Sequence, residues 1–288
     1  MIELLVLALM RAQIAAALGV AVVLLLRLPV RRLLGARLAY GLWAIVPAMA
    51  AASLFPSLSE TLEVGATTSP PALGLALKGL AIWLAGAALF AGFILMQERA
   101  FRRLADQGKA GPAVMGALWP RLVLPADFES RFTGRERELI LLHERTHMRR
   151  GDPMANLLVA GCRVLSWFNP VIHLGAAFLR IDQELACDAT VLAVKDNIRG
   201  DYARALLKVS MTGASSPLAC GWGAHPLILR VGFLGRTEPS RRREIAGFLV
   251  LVAFAVAAFI GTWGMAPRGF DQHAFAPDAL YVSRAALR

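Results

Sequence analysis

The sequence predicts a mainly α-helical membrane protein with four transmembrane helices and one domain in the cytosol. Three observations predict this fold class. The 288 residues are 57% hydrophobic and 18% charged, and a mean hydropathy of +0.56 is too apolar for an ordinary soluble domain. The apolar residues form four long segments. The charged residues cluster between those segments rather than spreading along the chain.

Four segments are long and apolar enough to cross a membrane: residues 2–26, 38–58, 72–96 and 245–266. Each has about 20 residues or more, the length that a helix needs to cross the hydrocarbon core. The first segment has no basic leader and no small-residue cleavage site before Arg27. We therefore interpret it as a membrane span rather than a signal peptide. Arg11 is expected to face the helix bundle or to extend to the membrane surface, and Lys78 is expected to extend to the membrane surface.

The charges between the spans predict the orientation of the chain. Cytoplasmic loops are enriched in Lys and Arg, and three regions are strongly basic: 27–37, 98–109 and 236–243. The loop at 59–71 has two glutamates and no Lys or Arg. We therefore expect this loop, the N-terminus and the tail at 267–288 to lie outside, and residues 98–244 to form a cytosolic domain.

The net charge of +11 has two interpretations. Its placement beside the spans indicates orientation and contact with anionic lipid, and it argues against nucleic-acid binding.

Cys162, Cys187 and Cys220 all fall in the predicted cytosolic domain. An odd, sparse set of cysteines in a reducing compartment is not a disulfide framework. They have no metal-ligand spacing, so we interpret them as small buried apolar residues.

The cytosolic domain is expected to contain a small β-hairpin followed by helices. Short β-prone runs surround Val114 and cover 122–124, and Pro120 and Pro125 bracket the second run, which fits an edge strand. A capping-box spacing, a glycine stop and Asp-Pro and Asn-Pro pairs mark the helix ends. The expected helices run from Thr133 to Arg150, from a cap at Asp152 to about Trp167, from Pro170 to about Val194, and over about 201–212. Residues 213–236, rich in Gly, Ser and Pro, are expected to form a loop region.

The first of these helices contains a His-Glu-x-x-His sequence, in which Glu144 follows His143 and precedes His147. Residues four apart on a helix point the same way, so the two histidines can bind one metal ion. Glu144 is turned by about 100° from His143 and can instead reach a water on the metal. The pattern is typical of zinc hydrolases, with two neutral nitrogen ligands and a glutamate as general base. The alternative is a solvated helix face with two hydrogen-bonded histidines.

A catalytic zinc site needs a third protein ligand and one open position. The downstream candidates are His173, Glu184, Asp188 and His225. Glu184 and Asp188 lie four apart on an apolar helix, where buried carboxylates are costly unless a cation meets them. We expect Glu184 to bind the metal and Asp188 to accept the free N–H of a metal-bound imidazole. His173 lies about 16 Å from Glu184 along one straight helix and is better interpreted as a hydrogen-bonded helix histidine.

The motifs as a set resemble the membrane metallopeptidase domain of the BlaR/MecR family, bacterial β-lactam-sensing signal transducers. The matching stretches are His-Glu-Arg-Thr-His at 143–147, Pro-Arg-Leu-Val-Leu-Pro at 120–125, Trp-Phe-Asn-Pro at 167–170 and Glu-Leu-Ala-Cys-Asp at 184–188. The order of three spans, a cytosolic domain and a fourth span also matches. The resemblance implies a gluzincin-like zinc domain with His143, His147 and Glu184 as ligands and Glu144 as catalytic base.

The resemblance also implies a function in the bacterial cytoplasmic membrane. We expect a zinc metalloendopeptidase whose substrate is a transcriptional repressor or its own loop before the fourth span. A substrate strand could pair with the edge at 122–124. Antibiotic-sensing members continue into an outer penicillin-binding domain, whereas residues 267–288 have no Ser-x-x-Lys motif. We therefore do not expect direct β-lactam sensing here.

Two alternatives share these sequence features. A non-catalytic membrane scaffold would bind a repressor or another membrane protein, and a general quality-control zinc protease would have the same site chemistry. A membrane partner or a second copy of the chain is compatible with each interpretation.

Overall fold

A computed structural model of the chain describes residues 2–55, 73–194, 197–210, 220–221, 227–236 and 239–264. The described chain is mainly helical and has one small sheet. The helices are α1 (Ile2–Leu33), α2 (Ala36–Gly41), α3 (Ile45–Ala52), α4 (Leu73–Asp106), α5 (Phe128–Arg131), α6 (Gly134–Arg150), α7 (Asp152–Leu165), α8 (Pro170–Val194), α9 (Arg199–Ser210), α10 (Leu227–Leu234) and α11 (Arg241–Gly264). The strands are β1 (Ala113–Met115), β2 (Arg121–Val123) and β3 (Cys220–Gly221). The predicted outer loop at 59–71 and the predicted tail at 267–288 lie outside the described residues.

Three described helices are long and apolar enough to cross a membrane: Leu5–Leu33 within α1, Leu73–Asp106 and Arg241–Gly264. They correspond to the predicted first, third and fourth spans. Large apolar side chains on them face outward, and Leu25 and Leu89 are each 77% exposed. Such surfaces need an apolar environment, which lipid provides. All three helices also extend beyond the predicted spans into the basic segments.

The predicted second span, 38–58, is not confirmed as one membrane-crossing helix. The described stretch from Ala36 to Ala52 is apolar but shorter than the three spans, and a 3-10 turn at Leu42–Ala44 interrupts it. Pro47 has no N–H to donate to the Trp43 carbonyl four residues earlier, which favours the tighter turn. This stretch packs against α1, α8 and α11, so it joins the membrane helices to the rest of the chain.

The sheet is antiparallel, with strand order β2-β1-β3. Val114 pairs with Leu122 on one side and with Cys220 on the other. The hairpin turn after β1 requires Gly116, which has a φ of 92° and would place a Cβ atom 2.6 Å from the Trp119 carbonyl oxygen. The predicted hairpin is confirmed, and β2 is an edge strand of the sheet. β1 and β3 contact α6, so the sheet lies against the helix with the two histidines.

The ends of α6 and α8 agree with the sequence analysis. Thr133 Oγ1 accepts a hydrogen bond from the Glu136 N–H, and the Glu136 carboxylate accepts one from the Thr133 N–H, at 3.3 and 2.9 Å. Gly151 ends α6 with a φ of 72°. At the start of α8, Asn169 Oδ1 accepts from the Val171 N–H at 3.1 Å. Local capping chemistry therefore fixes where both helices begin.

The predicted loop region 213–236 was wrong in part, because it contains β3 and α10. Leu227, Val231 and Leu234 pack onto a core formed by α6, α8 and α9. The spacing of these three residues is typical of a helix, but the many Gly, Ser and Pro residues nearby favoured the prediction of a loop. The core joins the three longer helices through buried residues that include Leu139, Val191 and Leu206.

A close contact between α4 and the turn after α7 makes Gly86 sensitive to substitution. A Cβ atom at Gly86 would lie 2.1 Å from Trp167 Cε2, and the Trp167 indole donates to the Trp83 carbonyl at 3.1 Å. We expect Gly86→Ala to destabilise the protein by about 1–3 kcal/mol through overpacking. Thermal unfolding in detergent micelles would measure this loss.

Gly79→Ala is the matched control, because Gly79 lies on the same helix and a Cβ atom there meets nothing within 4 Å. Equal melting temperatures for Gly86→Ala and Gly79→Ala would contradict the packing of Trp167 against α4.

Candidate metal centre

Two buried imidazoles on α6 face each other. The Nε2 atoms of His143 and His147 are 2.9 Å apart, and both side chains are fully buried. His147 Nδ1 lies 2.7 Å from Asp152 Oδ2. A carboxylate only accepts hydrogen bonds, so Nδ1 of His147 carries the proton and Nε2 has a lone pair.

A tyrosine sets the tautomer of the first imidazole in the same way. The Tyr202 hydroxyl donates to Asp188 Oδ1 at 2.7 Å, and its oxygen lies 2.7 Å from His143 Nδ1. His143 Nδ1 therefore donates to Tyr202, which leaves a lone pair on Nε2. Burial lowers the pKa of His143 to about 4, which favours the neutral ring. Two lone pairs at 2.9 Å repel each other unless a cation lies between them.

Glu184 on α8 faces both imidazoles. Its Oε2 atom is 3.4 Å from His143 Nε2, and its Oε1 atom is 3.6 Å from His147 Nε2. Ligand atoms around a tetrahedral zinc ion lie about 3.3 Å apart, given metal–ligand distances of about 2.0–2.1 Å. Burial opposes ionisation of Glu184, but the Arg230 guanidinium, 3.1 Å from Oε2, holds its pKa well below the usual range. An ionised carboxylate thus completes a set of three donors.

Cys187 also lies close to the histidines. Donor atoms of His143, His147 and Cys187 all lie within 4.8 Å of one another, although we expected the cysteines to be apolar residues outside any metal site. That expectation missed the helical geometry of α8, which places Cys187 one turn from Glu184. The Cys187 thiol donates to the His143 carbonyl at 3.5 Å, and burial raises its pKa to about 11. Its sulfur is therefore engaged with backbone in this arrangement.

Glu144 is a buried carboxylate beside the histidine pair. Its side chain is fully buried, and neither oxygen has a hydrogen bond with good geometry among the described residues. Burial raises the pKa of Glu144 to about 8. An unsatisfied buried carboxylate is costly, and such groups are common at functional sites.

Asp188 acts on the histidine through Tyr202. We expected it to accept the imidazole N–H directly, but Asp188 Oδ1 is 3.5 Å from His143 Nδ1 and the Tyr202 hydroxyl makes the short contacts to both. Asp188 also accepts two hydrogen bonds from Arg230, at 2.8 and 2.6 Å. Arg230 Nη1 lies 3.1 Å from Glu184 Oε2. One buried guanidinium therefore pairs with two buried carboxylates.

The structure corrects the interpretation of Asp152 as a helix cap. Gly151 occupies the N-cap position and Asp152 is the first residue of α7. Its carboxylate contacts His147 and accepts from the Tyr40 hydroxyl at 3.2 Å. Sequence reasoning missed Asp152, Tyr202 and Arg230 as site residues. For Asp152 the available signal was its position just beyond the glycine that ends the His-Glu-x-x-His helix.

His173 does not join this cluster. His173 Nε2 donates to the Trp167 carbonyl at 2.9 Å, so Nδ1 accepts from Arg163 at 3.3 Å. It is a hydrogen-bonded helix histidine. His225 lies outside the described residues.

A membrane helix contacts the residue two positions before Glu184. Arg27 on α1 donates two hydrogen bonds of 2.8 Å to Asp182, and the Trp43 indole donates a third at 3.0 Å. We expected Arg27 to help to orient the chain in the membrane and to contact anionic lipid. In the structure it is 6% exposed and forms a buried ion pair. These contacts therefore hold α1 against α8 next to Glu184, the candidate ligand.

Comparisons with known proteins agree with the motifs. The sequence model of a family described as BlaR1 peptidase M56 matches residues 7–73 and 106–234. The chain is 31% identical over 98 residues to the Regulatory protein BlaR1 of Bacillus licheniformis, covering 34% of this chain and 16% of that protein. It is also 31% identical over 152 residues to the Methicillin resistance mecR1 proteins of Staphylococcus aureus and Staphylococcus epidermidis, covering 48% of this chain and 26% of each. The match thus spans about a quarter or less of the length of these relatives.

Proposed function

The chain belongs to the BlaR1 peptidase M56 family, and from this premise we propose that it is an integral-membrane zinc metalloendopeptidase. The family is metal-dependent and implies metallopeptidase-type activity. Its relatives and three candidate membrane helices indicate a bacterial inner-membrane protein. The observation that carries the proposal is the pair of imidazole lone pairs 2.9 Å apart beside an ionised carboxylate.

The donor set fits zinc. Neutral imidazole nitrogens and a carboxylate oxygen are common zinc ligands, and three protein ligands leave one position open for catalysis. We assign His143, His147 and Glu184 as the ligands. Zinc bound there would polarise the scissile carbonyl and lower the pKa of its water to about 7.

Glu144 serves as the general base of the proposed reaction. It takes a proton from the attacking water and returns that proton to the leaving nitrogen of the peptide bond. Its burial keeps bulk water away from the carboxylate, which strengthens the interactions of Glu144 with reacting groups. Asp152 and Tyr202 hold the two imidazoles in the tautomer that presents Nε2 to the metal.

The substrate is a protein in this proposal, either a transcriptional repressor or the chain's own segment before α11. Two relatives carry names that denote regulation and methicillin resistance, which favours a regulatory role. Among the described residues no strand pairs with the outer edge of β2, since β3 pairs with the other side of β1, so a substrate strand could pair there. We also propose that the peptidase domain faces the cytosol and that both chain ends lie outside, as the basic segments indicate.

Metal content and cleavage test this function together. The purified full-length chain in lipid nanodiscs should hold about one zinc ion and should cleave a repressor or itself. We expect His147→Ala to lose both the metal and cleavage, because one ligand is removed. Full cleavage by metal-free His147→Ala would overturn the proposal.

Asp152 provides a graded test of metal binding. Replacing an outer hydrogen-bond partner of a zinc-bound histidine lowers metal affinity by about 10–100-fold. We therefore expect a weakening of this size in Asp152→Asn, measured by competition with a zinc-selective chelator. Asp201→Asn, on α9, is the control because Asp201 pairs with Arg204 rather than with a histidine. Equal zinc affinities for the two variants would show that Asp152 does not act on the metal site.

A further inference from the structure

A basic cavity of about 300 Å³ lies where the end of α1 meets the start of α11. Four arginines line it: Arg31, Arg32, Arg236 and Arg243. Leu33 and Phe233 form apolar parts of its wall. The cavity is distinct from the candidate metal centre, whose histidines are not among its lining residues.

Contacts between the segment that follows α1 and the start of α11 hold the walls of this arginine pocket together. Gly35, with a φ of 93°, lies so close to Pro239 that a Cβ atom would be 3.0 Å from its ring. Arg37 and Glu244 form an ion pair at 2.7 Å. The basic ends of α1 and α11 therefore lie side by side, and the pocket is part of the fold.

The described residues that line the arginine pocket include four arginines and no acidic residue. Arg31 reaches Asp182 at 3.5 Å, but that carboxylate already binds Arg27 at 2.8 Å. The segment 236–243 has four arginines and a single acidic residue, Glu238. Guanidinium groups match phosphate oxygens in charge and geometry, so an anion with a phosphate group suits this pocket.

The surroundings of the arginine pocket are apolar. Leu33 is 65% exposed, and Ile245 and Leu249 on α11 are 54% and 62% exposed. An acyl chain can cover these side chains, whereas a soluble phosphate would leave them exposed. We propose that the arginine pocket binds the phosphate-bearing headgroup of an anionic phospholipid, whose acyl chains lie along α1 and α11. This proposal does not depend on peptidase activity.

Native mass spectrometry of the detergent-purified full-length protein tests this site. Phosphatidylglycerol and phosphatidylcholine with identical acyl chains are titrated, and wild type should retain phosphatidylglycerol in preference. An arginine near an anionic lipid surface contributes about 1 kcal/mol. We therefore expect Arg32→Gln/Arg243→Gln to bind phosphatidylglycerol at least tenfold more weakly, with unchanged phosphatidylcholine binding. If this double variant does not fold, each single variant should lose about fivefold.

The matched control is Arg99→Gln/Arg103→Gln, which removes two exposed arginines from the basic end of α4. It should keep the preference for phosphatidylglycerol. An equal loss in this control would assign the preference to general surface charge and overturn the pocket. Inorganic phosphate is titrated separately. Binding of phosphate with the same arginine dependence, together with equal retention of the two lipids, would overturn the lipid assignment in favour of a soluble phosphate compound.

Discussion

Glu144→Gln is expected to retain about one zinc ion per chain and to lose peptide cleavage by about 10²–10⁴-fold, the range for removal of a general base. The amide has nearly the shape of the carboxylate but cannot take a proton from water. In the proposed site Glu144 is not needed to hold the metal, because His143, His147 and Glu184 are the assigned ligands. Cleavage rate and zinc content are measured on the same purified samples.

Glu138→Gln is the control for this experiment. Glu138 lies on the same helix, α6, and its side chain is 51% exposed, so we expect cleavage to be unchanged. Undiminished cleavage in Glu144→Gln would exclude Glu144 as the base. Unchanged regulation in cells that contain Glu144→Gln would instead favour a non-catalytic scaffold.

Arg230→Met is expected to produce the largest loss of stability. The side chain of Arg230 is 1% exposed and lies 2.6 Å from Asp188 and 3.1 Å from Glu184. Methionine fills much of the same space but leaves two carboxylates without their cation. Breaking a buried pair in this way costs about 3–5 kcal/mol. Chemical unfolding of the chelator-treated protein would measure the loss.

Arg204→Met is the matched control for Arg230→Met. Arg204 lies on α9 and its side chain is 70% exposed, so the change in unfolding free energy should stay within about 0.5 kcal/mol. Similar stability for Arg230→Met and Arg204→Met would mean that Arg230 does not stabilise the two buried carboxylates.

Local chemistry made much of this architecture predictable. The reciprocal Thr133–Glu136 bonds and the left-handed Gly151 depend on residues a few positions apart, so their sequence pattern identified both ends of α6. The spacing of His143 and His147 put both rings on one face for the same reason. Glu184 could be chosen because a carboxylate in an apolar helix needs a cation nearby.

Long-range contacts were not predictable in this way. Tyr202 reaches His143 from α9, and Arg230 reaches Asp188 from a helix that composition indicated as loop. The fold of the core, rather than any spacing along the chain, brings these groups together. The ion pair of Arg27 was not predictable either. A basic residue at the end of a span is typical of an orientation signal, and only the fold shows that Asp182 is its partner.

The proposed zinc site depends most on its third ligand, since Glu184 and Cys187 both lie near the histidine pair. X-ray absorption at the zinc edge of the purified protein distinguishes them directly. We predict a shell of nitrogen and oxygen atoms at about 2.0–2.1 Å, with scattering from two imidazole rings. A sulfur atom at about 2.3 Å from zinc would contradict this assignment and identify Cys187 as a ligand.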